Sequence, residues 1–404
     1  MAPDPAADSF APDQPAFWLG DPHAALRRLR REDPLPWYAG TGGAWCVLKH
    51  ADILSVSRDP QRFTSTRGIQ IGLREANARP PGIPPTILEM DPPQHNRYRK
   101  LVIRAFTPHS AARLETMVRQ IARECVEAIE PGAPMDLVEA LAVPVPMYVI
   151  AEMLGVPRSD RPSFKRWSDS MIEAGGGAGR TARTDALLGE MLGYFHAVLG
   201  ERRRAPKDDL ISTLARAEIE GAVLTDPEIL MFCITLLAAG NETTRNLISG
   251  GSLLLMRNPD ERRRLLREPG LMPNAVEEML RWWTPVQSFI RTATRDTELR
   301  GRRIAEGQVM LLLYASANRD EDVWGDDADR FDVGRDHTHQ RHVAFGFGEH
   351  LCLGAPLARL EARVAFEELL ARYPSFELAG EPERLNSRLM HGVEHLPVVF
   401  EARR

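Results

Sequence analysis

The stretch FGFGEHLCLG, residues 345–354, sets a single cysteine, Cys352, among closely spaced glycines and just ahead of a strongly helical segment. Glycines such as Gly348 and Gly354 allow tight turns and let a flat partner approach the backbone. Ala355 and Pro356 then begin a helix, whose free N–H groups favour negative charge and bias a nearby thiol towards the thiolate. A thiolate is a strong metal ligand, so this stretch is the candidate functional site.

Three interpretations of Cys352 stay open at this point. A buried structural cysteine leaves the glycine spacing unexplained. A zinc site made from Glu349, His350 and Cys352 needs further ligands at matching spacing, and the sequence offers none. A haem thiolate needs one cysteine, a shaped loop, cationic partners for two propionates and a shield for the sulfur, for which Phe345 is placed.

The composition describes an ordinary globular protein. The chain has 404 residues, 43% hydrophobic and 26% charged, and its net charge of -5 argues against a dedicated nucleic-acid binder. No C-x-x-C pair and no secretory segment occur, so free thiols in the reducing cytoplasm are expected. The longest apolar run, 229–240, is too short to span a bilayer, which predicts a buried core helix and no membrane anchor. A monomer is expected.

Helical patterns dominate the chain. Thr225, Asp226 and Pro227 predict the start of a helix that runs to Met256. Further helices are predicted at 273–283 and 355–374, and strands at 44–50, 289–299 and 302–315. We expect a flexible arm at 1–15 and a single domain at 16–404, mainly α with a small β part. The glycine-rich segment 173–184 is interpreted as a linker or a mobile lid.

Several motifs together resemble the cytochrome P450 family, and they occur in the family's order over almost the whole chain. F-x-x-G-x-x-x-C-x-G, formed by Phe345, Gly348, Cys352 and Gly354, resembles the haem-binding signature. AGNETT at 239–244, EEMLR at 277–281, DADRFD at 327–332 and DPPQHNRYRK at 91–100 resemble other family segments. The resemblance implies the cytochrome P450 fold with a long central distal helix, haem b as cofactor and Cys352 as the iron ligand.

The resemblance also assigns the groups that bind the haem propionates. They are His95 and Arg99 on one helix, Arg291 on a strand and His350 beside the cysteine. His95 and Arg99 are four residues apart and therefore share a helix face. Arginine is the suitable donor to a carboxylate. His342 is a further candidate near this surface.

The distal helix carries polar residues inside an apolar segment, which a packed core disfavours. By resemblance, Glu242 and Thr243 are the acid–alcohol pair that delivers protons during cleavage of the O–O bond. Ala239, one turn earlier, is expected to border the oxygen and substrate space. A hydroxyl bonded to the carbonyl one turn before it can bend the helix and open a pocket.

The E-x-x-R pair, Glu278 and Arg281, is assigned a structural role, with Arg330 as its third partner by resemblance. Ala328 stands where the family usually has proline, which weakens a turn without touching the chemistry.

The implied activity is a monooxygenase that uses O2 and hydroxylates or epoxidises a lipid, sterol, terpenoid or polyketide. Electrons would come from a separate ferredoxin and its reductase, docked on a basic patch. The expected patch consists of Arg97, Lys100, Arg104, Arg341 and Arg359. The substrate pocket is expected to include Val286, Phe289 and Val393.

Two alternatives are a peroxide-driven peroxygenase and a haem-binding sensor without catalysis. Peroxide-driven relatives replace the distal acid–alcohol pair, so Glu242 and Thr243 count against the first. A sensor would not need that pair or an apolar cavity.

Overall fold

In the computed structural model of the protein, the described residues are 10–71, 83–175, 181–219 and 221–401. Most of them are helical, and the predicted class of mainly α with a small β part is confirmed. The α-helices in these residues are α1 (Pro15–Leu19), α2 (Pro22–Glu32), α3 (His50–Ser57), α4 (Gln94–Val102), α5 (Pro108–Arg113), α6 (Glu115–Glu127), α7 (Pro144–Met153), α8 (Arg161–Gly175), α9 (Ala182–Arg204), α10 (Leu210–Ala215), α11 (Asp226–Arg257), α12 (Pro259–Arg267), α13 (Met272–Trp283), α14 (Tyr314–Ala317), α15 (Glu321–Trp324) and α16 (Ala355–Arg372).

The strands are short, and many of them pair with a strand that is adjacent in sequence. They are β1 (Trp37–Tyr38), β2 (Ala44–Val47), β3 (Phe63–Thr64), β4 (Met135–Asp136), β5 (Glu218–Ile219), β6 (Ala222–Val223), β7 (Ser288–Ala293), β8 (Thr297–Leu299), β9 (Arg302–Ile304), β10 (Val309–Leu313), β11 (Phe376–Leu378), β12 (Glu383–Arg384), β13 (Val393–His395) and β14 (Pro397–Phe400).

The largest sheet has the order β1-β2-β10-β7-β3. All five residues of β10 are buried, as expected for an apolar strand covered on both faces. β10 runs parallel to β2 and antiparallel to β7, in a register that sets Met310 opposite Arg291. This pairing holds Arg291, a predicted propionate partner, on a central strand.

The central helix α11 crosses the molecule. Its 32 residues correspond to about 48 Å at ~1.5 Å per residue. Thr225 and Glu228 form a capping box and Pro227 lies in the first turn, so the helix begins where the sequence predicted and ends one residue beyond the expected Met256. Helices α7, α8, α9, α13 and α16 pack around it. In the described part of the chain, no helix has both the length and the apolar character to cross a bilayer.

The N-terminal segment is packed where it is described. The buried Asp13 carboxylate accepts hydrogen bonds from the hydroxyls of Tyr38 and Thr41, and the ring of Phe10 meets Phe17 edge-on. The expectation of a loose arm through residue 15 is therefore wrong for residues 10–14, because a buried carboxylate with two donors fixes them. Residues 1–9 lie outside the described residues, as do 176–180 of the predicted linker or lid.

The predicted E-x-x-R pair is fully buried. Both side chains are 0% exposed, and Arg281 donates from Nε and Nη2 to the two Glu278 oxygens at 2.7 Å each. Arg281 also donates to the backbone carbonyls of Asn318, Ala328 and Arg330. These bonds tie α13 to the irregular segment that leads to the cysteine loop.

Arg330 is not the third partner of this pair, and that part of the prediction is wrong. Its side chain is 64% exposed and lies 4.0 Å from Glu261, so that only its carbonyl takes part. Arg335 is the third partner instead, with Nε 3.3 Å from Glu278 Oε1. Burial raises the pKa of Glu278, but Arg281, His337 and the Asp332 N–H outweigh it and lower that pKa to about 2, so the carboxylate is held ionised.

Removing one partner of the buried pair should destabilise the protein strongly, because the other charge is left without compensation. We expect Glu278→Ala to cost about 3–5 kcal/mol of unfolding free energy, and Arg330→Ala, the matched control, less than about 0.5 kcal/mol. Urea unfolding followed by circular dichroism measures both values. A loss in Arg330→Ala as large as that in Glu278→Ala would contradict this assignment.

Candidate functional site

The cysteine loop is closed by its own backbone. The N–H of Cys352 donates to the Phe345 carbonyl at 2.9 Å, and Gly346 N–H donates to Val343 at 2.9 Å. A single turn of 3-10 helix spans Gly348–His350, and α16 begins three residues after Cys352. The loop therefore presents the Cys352 thiol from a fixed turn at the N-terminus of a long helix.

The thiol faces a cavity between the loop and α11. The space between atoms there is about 1530 Å³, including its opening to solvent. Ala239, Gly240, Thr243 and Thr244 of α11 lie on the wall across from Cys352. The remaining wall is mainly apolar, which suits a flat cofactor and a neutral small molecule beside it.

The surroundings of Cys352 act on the pKa of its thiol in opposite directions. Burial raises the pKa of the thiol, while the N–H groups of Gly354 and Ala355 and the charges of Arg99 and Arg359 lower it. Burial is the largest effect, so the thiolate bias expected from the helix N-terminus is wrong for the chain by itself. A bound metal ion would reverse the balance, because a thiol that coordinates a metal loses its proton.

Four predicted cationic groups meet at one side of the cavity. His95, Arg99, Arg291 and His350 all lie on its wall, and the rings of His95 and His350 are 4.5 Å apart. His95 is 1% exposed and its Nε2 has no hydrogen-bond partner. Burial, followed by the charges of Arg291, His95 and Arg99, lowers the pKa of His350 to about 2.

This crowding fits a cofactor that carries carboxylates. A buried ring nitrogen without a partner is uncommon, and the two arginines beside it repel each other unless an anion lies between them. Arg99 is fixed by a 2.7 Å bond from Nη2 to the Leu351 carbonyl, and Arg291 by a 2.8 Å bond from Nη1 to Ile290. The predicted propionate partners are thus brought together on separate elements.

Gly348 has a different role from the one predicted. Its φ is +73°, and a Cβ built there would lie 2.3 Å from the Ser57 carbonyl oxygen. It is not among the described residues on the cavity wall, so it allows the loop to pack on the end of α3 and does not face a flat partner. Gly346 lies on the wall instead, with φ +69°. Phe345 lies on the wall as expected, with the Arg359 guanidinium 4.5 Å from its ring centre.

The distal turn of α11 has the predicted hydroxyl bond. Thr243 Oγ1 donates to the Ala239 carbonyl at 2.6 Å, and both residues lie on the cavity wall. The helix stays α-helical throughout, so no local bulge accompanies this bond. Glu242 is absent from the described cavity wall, and burial raises the pKa of its carboxyl while Arg245 lowers it.

A second acid, Glu361, was missed by the sequence analysis. It lies on α16, is 1% exposed, borders the cavity, and has one carboxyl oxygen, Oε1, without a partner. Burial raises its pKa to about 8, and the Thr244 hydroxyl lowers it. The available signal was its position between buried apolar neighbours, Leu360 and Ala362, on a helix where an acid has no structural reason to be.

The predicted substrate residues separate into two groups. Val286 and Phe289 lie on the cavity wall. Val393 is fully buried in the hydrophobic core and pairs with Arg384 in a two-stranded sheet, so its assignment to the pocket is wrong. His342 is bonded to Glu277 at 3.1 Å and is likewise not on the described wall. Residues 72–82 lie outside the described residues.

The zinc interpretation is not supported. Among the described residues, the group that approaches metal-ligand geometry is Asp91, Glu349 and His350, and Cys352 is not part of it. Asp91 already accepts from the Ser65 N–H and the Thr64 hydroxyl.

Comparison with known proteins agrees with this geometry. The family described as Cytochrome P450 matches residues 186–393. Cytochrome P450 109 of Bacillus spizizenii is 38% identical, over 93% of this chain and 91% of its own length. Linalool 8-monooxygenase of Pseudomonas putida is 37% identical, over 94% and 95%. The structure of cytochrome P450 CYP109Q5 from Chondromyces apiculatus superposes with a TM-score of 0.88 at 37% identity, covering 98% of this chain and 99% of that one.

The steric role of Gly348 can be separated from its backbone conformation. Gly348→Ala should lower both the melting temperature and the haem bound per chain, because the new methyl meets the Ser57 carbonyl. Gly132→Ala is the matched control, since Gly132 has φ +89° but open space around it. The control should lose only the left-handed strain of about 1–2 kcal/mol and keep its haem. Equal effects of the two substitutions would contradict the packing role.

Proposed function

This chain belongs to the cytochrome P450 family, and we propose that it is a haem-thiolate monooxygenase that inserts one oxygen atom of O2 into an apolar small molecule. The observation that carries the proposal is the position of Cys352 across an apolar cavity from the Thr243 turn of α11. The product would be an alcohol or an epoxide. The oxidised molecule would be a lipid, sterol, terpenoid or polyketide, and the linalool enzyme among its relatives supports that range.

The residues present fit haem b. Cys352 would ligate the iron, and His95, Arg99, Arg291 and His350 would hold the two propionates. The unpartnered His95 Nε2 is the atom that best fits this role, because a carboxylate would satisfy it. When bound, haem supplies the activation of O2 and the oxidation of the C–H or C=C bond.

Towards the cavity, Thr243 would act as a hydrogen-bond acceptor through its Oγ1. Its proton is committed to the Ala239 carbonyl, so the side towards the cavity accepts a hydrogen bond and does not donate one. In that state Thr243 would orient a water molecule that donates to its Oγ1. For this hydroxyl to donate a proton into the cavity, it must receive a proton from a neighbouring acid.

Two acids are placed to supply protons. Glu361 has a pKa of about 8 and so holds its proton near neutral pH at the cavity wall, beside Thr244. Burial also raises the pKa of Glu242. Glu242 is next to Thr243 in sequence but does not lie on the described cavity wall. We assign Glu242 and Thr243 the proton-delivery role and Glu361 a second source on the opposite side of the turn.

A peroxide-driven reaction and a haem sensor are less well supported. Neither requires an acid–alcohol arrangement beside the cavity, whereas Thr243 and Glu361 both border it.

The electron donor would dock on the face outside the cysteine loop. Leu351 and Ile103 are 44% and 39% exposed there, and Arg99 joins their two segments through the Leu351 carbonyl. The nearby cations Arg97, Lys100, Arg104 and Arg341 are exposed. Arg359 is half-exposed and already paired with Glu277 at 2.6 Å, so it contributes less charge than expected. An apolar centre within a basic rim suits an acidic ferredoxin.

The monooxygenase proposal is tested by turnover with a ferredoxin, its reductase and NADH. The wild type should form oxidised product in proportion to NADH consumed, and Cys352→Ala should lose the thiolate-type spectrum with carbon monoxide. Thr243→Ala should lower product per NADH by about tenfold or more while NADH use continues. Thr213→Ala is the matched control, because its hydroxyl makes the same bond to a carbonyl one turn earlier, Asp209, away from the cavity. Unchanged coupling in Thr243→Ala would contradict its role.

The proposed docking face predicts that the rate of electron transfer from the ferredoxin depends on salt concentration. The triple substitution Arg97→Glu, Lys100→Glu and Arg104→Glu should slow electron transfer from an acidic ferredoxin by about tenfold at low ionic strength. The difference should shrink as salt is added, because exposed charges are screened. Lys165→Glu, on α8, is the control and should leave the stopped-flow reduction rate unchanged. A slower rate in the control, or a loss that salt does not alter, would contradict this surface.

A further inference from the structure

Among the described residues, one polar side chain, Thr235, lies on the cavity wall away from the cysteine loop and from the turn at Thr243. Thr235 lies on the wall two turns before Thr243 on α11, at an axial separation of about 12 Å for eight residues. The other polar side chains on the described wall lie near the cysteine loop or on the turn at Thr243 and Thr244. Thr235 is therefore separated from the cofactor and from the proton-delivery groups.

The surroundings of Thr235 are apolar. Phe232, one turn earlier on the same helix, packs against Phe106 with ring centres 6.2 Å apart, and both rings border the cavity. Ile87 and Leu88 lie on the same wall. A charged ligand group beside Thr235, Phe232 and Phe106 would be desolvated among apolar side chains, which disfavours it relative to a neutral group.

The hydrogen bond of Thr235 fixes which group it can recognise. Its Oγ1 donates to the Met231 carbonyl at 2.7 Å, and because a carbonyl has no proton to give, the hydroxyl hydrogen must lie in that bond. Thr235 lies on the cavity wall, and the bond to Met231 leaves the lone pairs of Oγ1 free to accept. Thr235 can then accept a hydrogen bond from a ligand, but it cannot donate one while the bond to Met231 is kept.

We propose that Thr235 is a specificity residue which accepts a hydrogen bond from a hydroxyl of the substrate, so that the enzyme prefers a neutral apolar alcohol to its ketone or ether. This inference rests on the proposed monooxygenase function and narrows its substrate class. A ketone or an ether of the same skeleton offers no donor and gains nothing from Thr235. A carboxylate would be excluded by desolvation and by repulsion from the lone pairs.

The test is an optical titration of the ferric, haem-loaded enzyme with matched ligands. The first set is 5α-androstan-3β-ol, the corresponding 3-ketone and the parent hydrocarbon; the second is decan-1-ol, its methyl ether and decanoic acid. The wild type should bind each alcohol roughly three- to tenfold more tightly than its ketone or ether, the gain of one hydrogen bond, and bind decanoic acid more weakly than decan-1-ol.

Substitutions at Thr235 separate recognition from packing. Thr235→Val, which keeps the shape, should remove the preference for the alcohol and leave the affinity for the hydrocarbon unchanged. Thr235→Ser should keep the preference. The inference is overturned if the wild type does not prefer the alcohols, if Thr235→Val still prefers them, or if neither alcohol shifts the haem band of an intact haem-thiolate protein. Loss of the haem-thiolate spectrum in the wild type would instead overturn the proposed function, and this inference with it.

Discussion

One turn of α13 supports the whole thiolate side of the molecule, because its two adjacent glutamates are bonded to different parts of the segment around Cys352. Glu278 holds Arg281 and Arg335 and, through Arg281, the backbone from Ala328 to Arg330. Glu277 binds Arg359 of α16, on the far side of the cysteine. Ion pairs in the interior are costly to desolvate and become stable only with complete hydrogen bonding. Here that completeness fixes the position of a loop that has little regular structure of its own.

Local sequence signals predicted the parts of this structure that depend on neighbouring residues. The start of α11 follows from Thr225, Pro227 and Glu228, which cap the helix with no help from the rest of the chain. The hydroxyl bond from Thr243 to Ala239 likewise needs only helical spacing. The choice between Arg330 and Arg335 could not be made this way, because both lie in an irregular segment where spacing does not determine the direction of a side chain. Val393 was misplaced for a similar reason, since pairing with Arg384 turns it into the core.

The acid Glu361 shows a second limit of sequence reasoning. Its chemistry depends on burial, and burial is decided by α16 packing against α11, whose residues are far away in the chain. His95 Nε2 and Glu361 Oε1 are both buried atoms without partners, and both border the cavity. A core selected for stability alone would satisfy or remove such groups, whereas a site that binds a cofactor and moves protons retains them.

The pairing of β2 with β10 has a consequence for the order in which the protein is made. β2 lies within the first fifty residues of the chain, yet its Cys46 is paired opposite Leu311 of β10. In the same way, β4 pairs with β14 near the end of the chain. A ribosome releases the N-terminal segment long before β10 and β14 exist, so β2 can pair early only with β1, and β4 must wait for β14. Closing such long loops is slow compared with forming α11. The cofactor pocket, which needs Arg291 on β7 and the loop after residue 340, can therefore be completed only when nearly the entire chain has been synthesised.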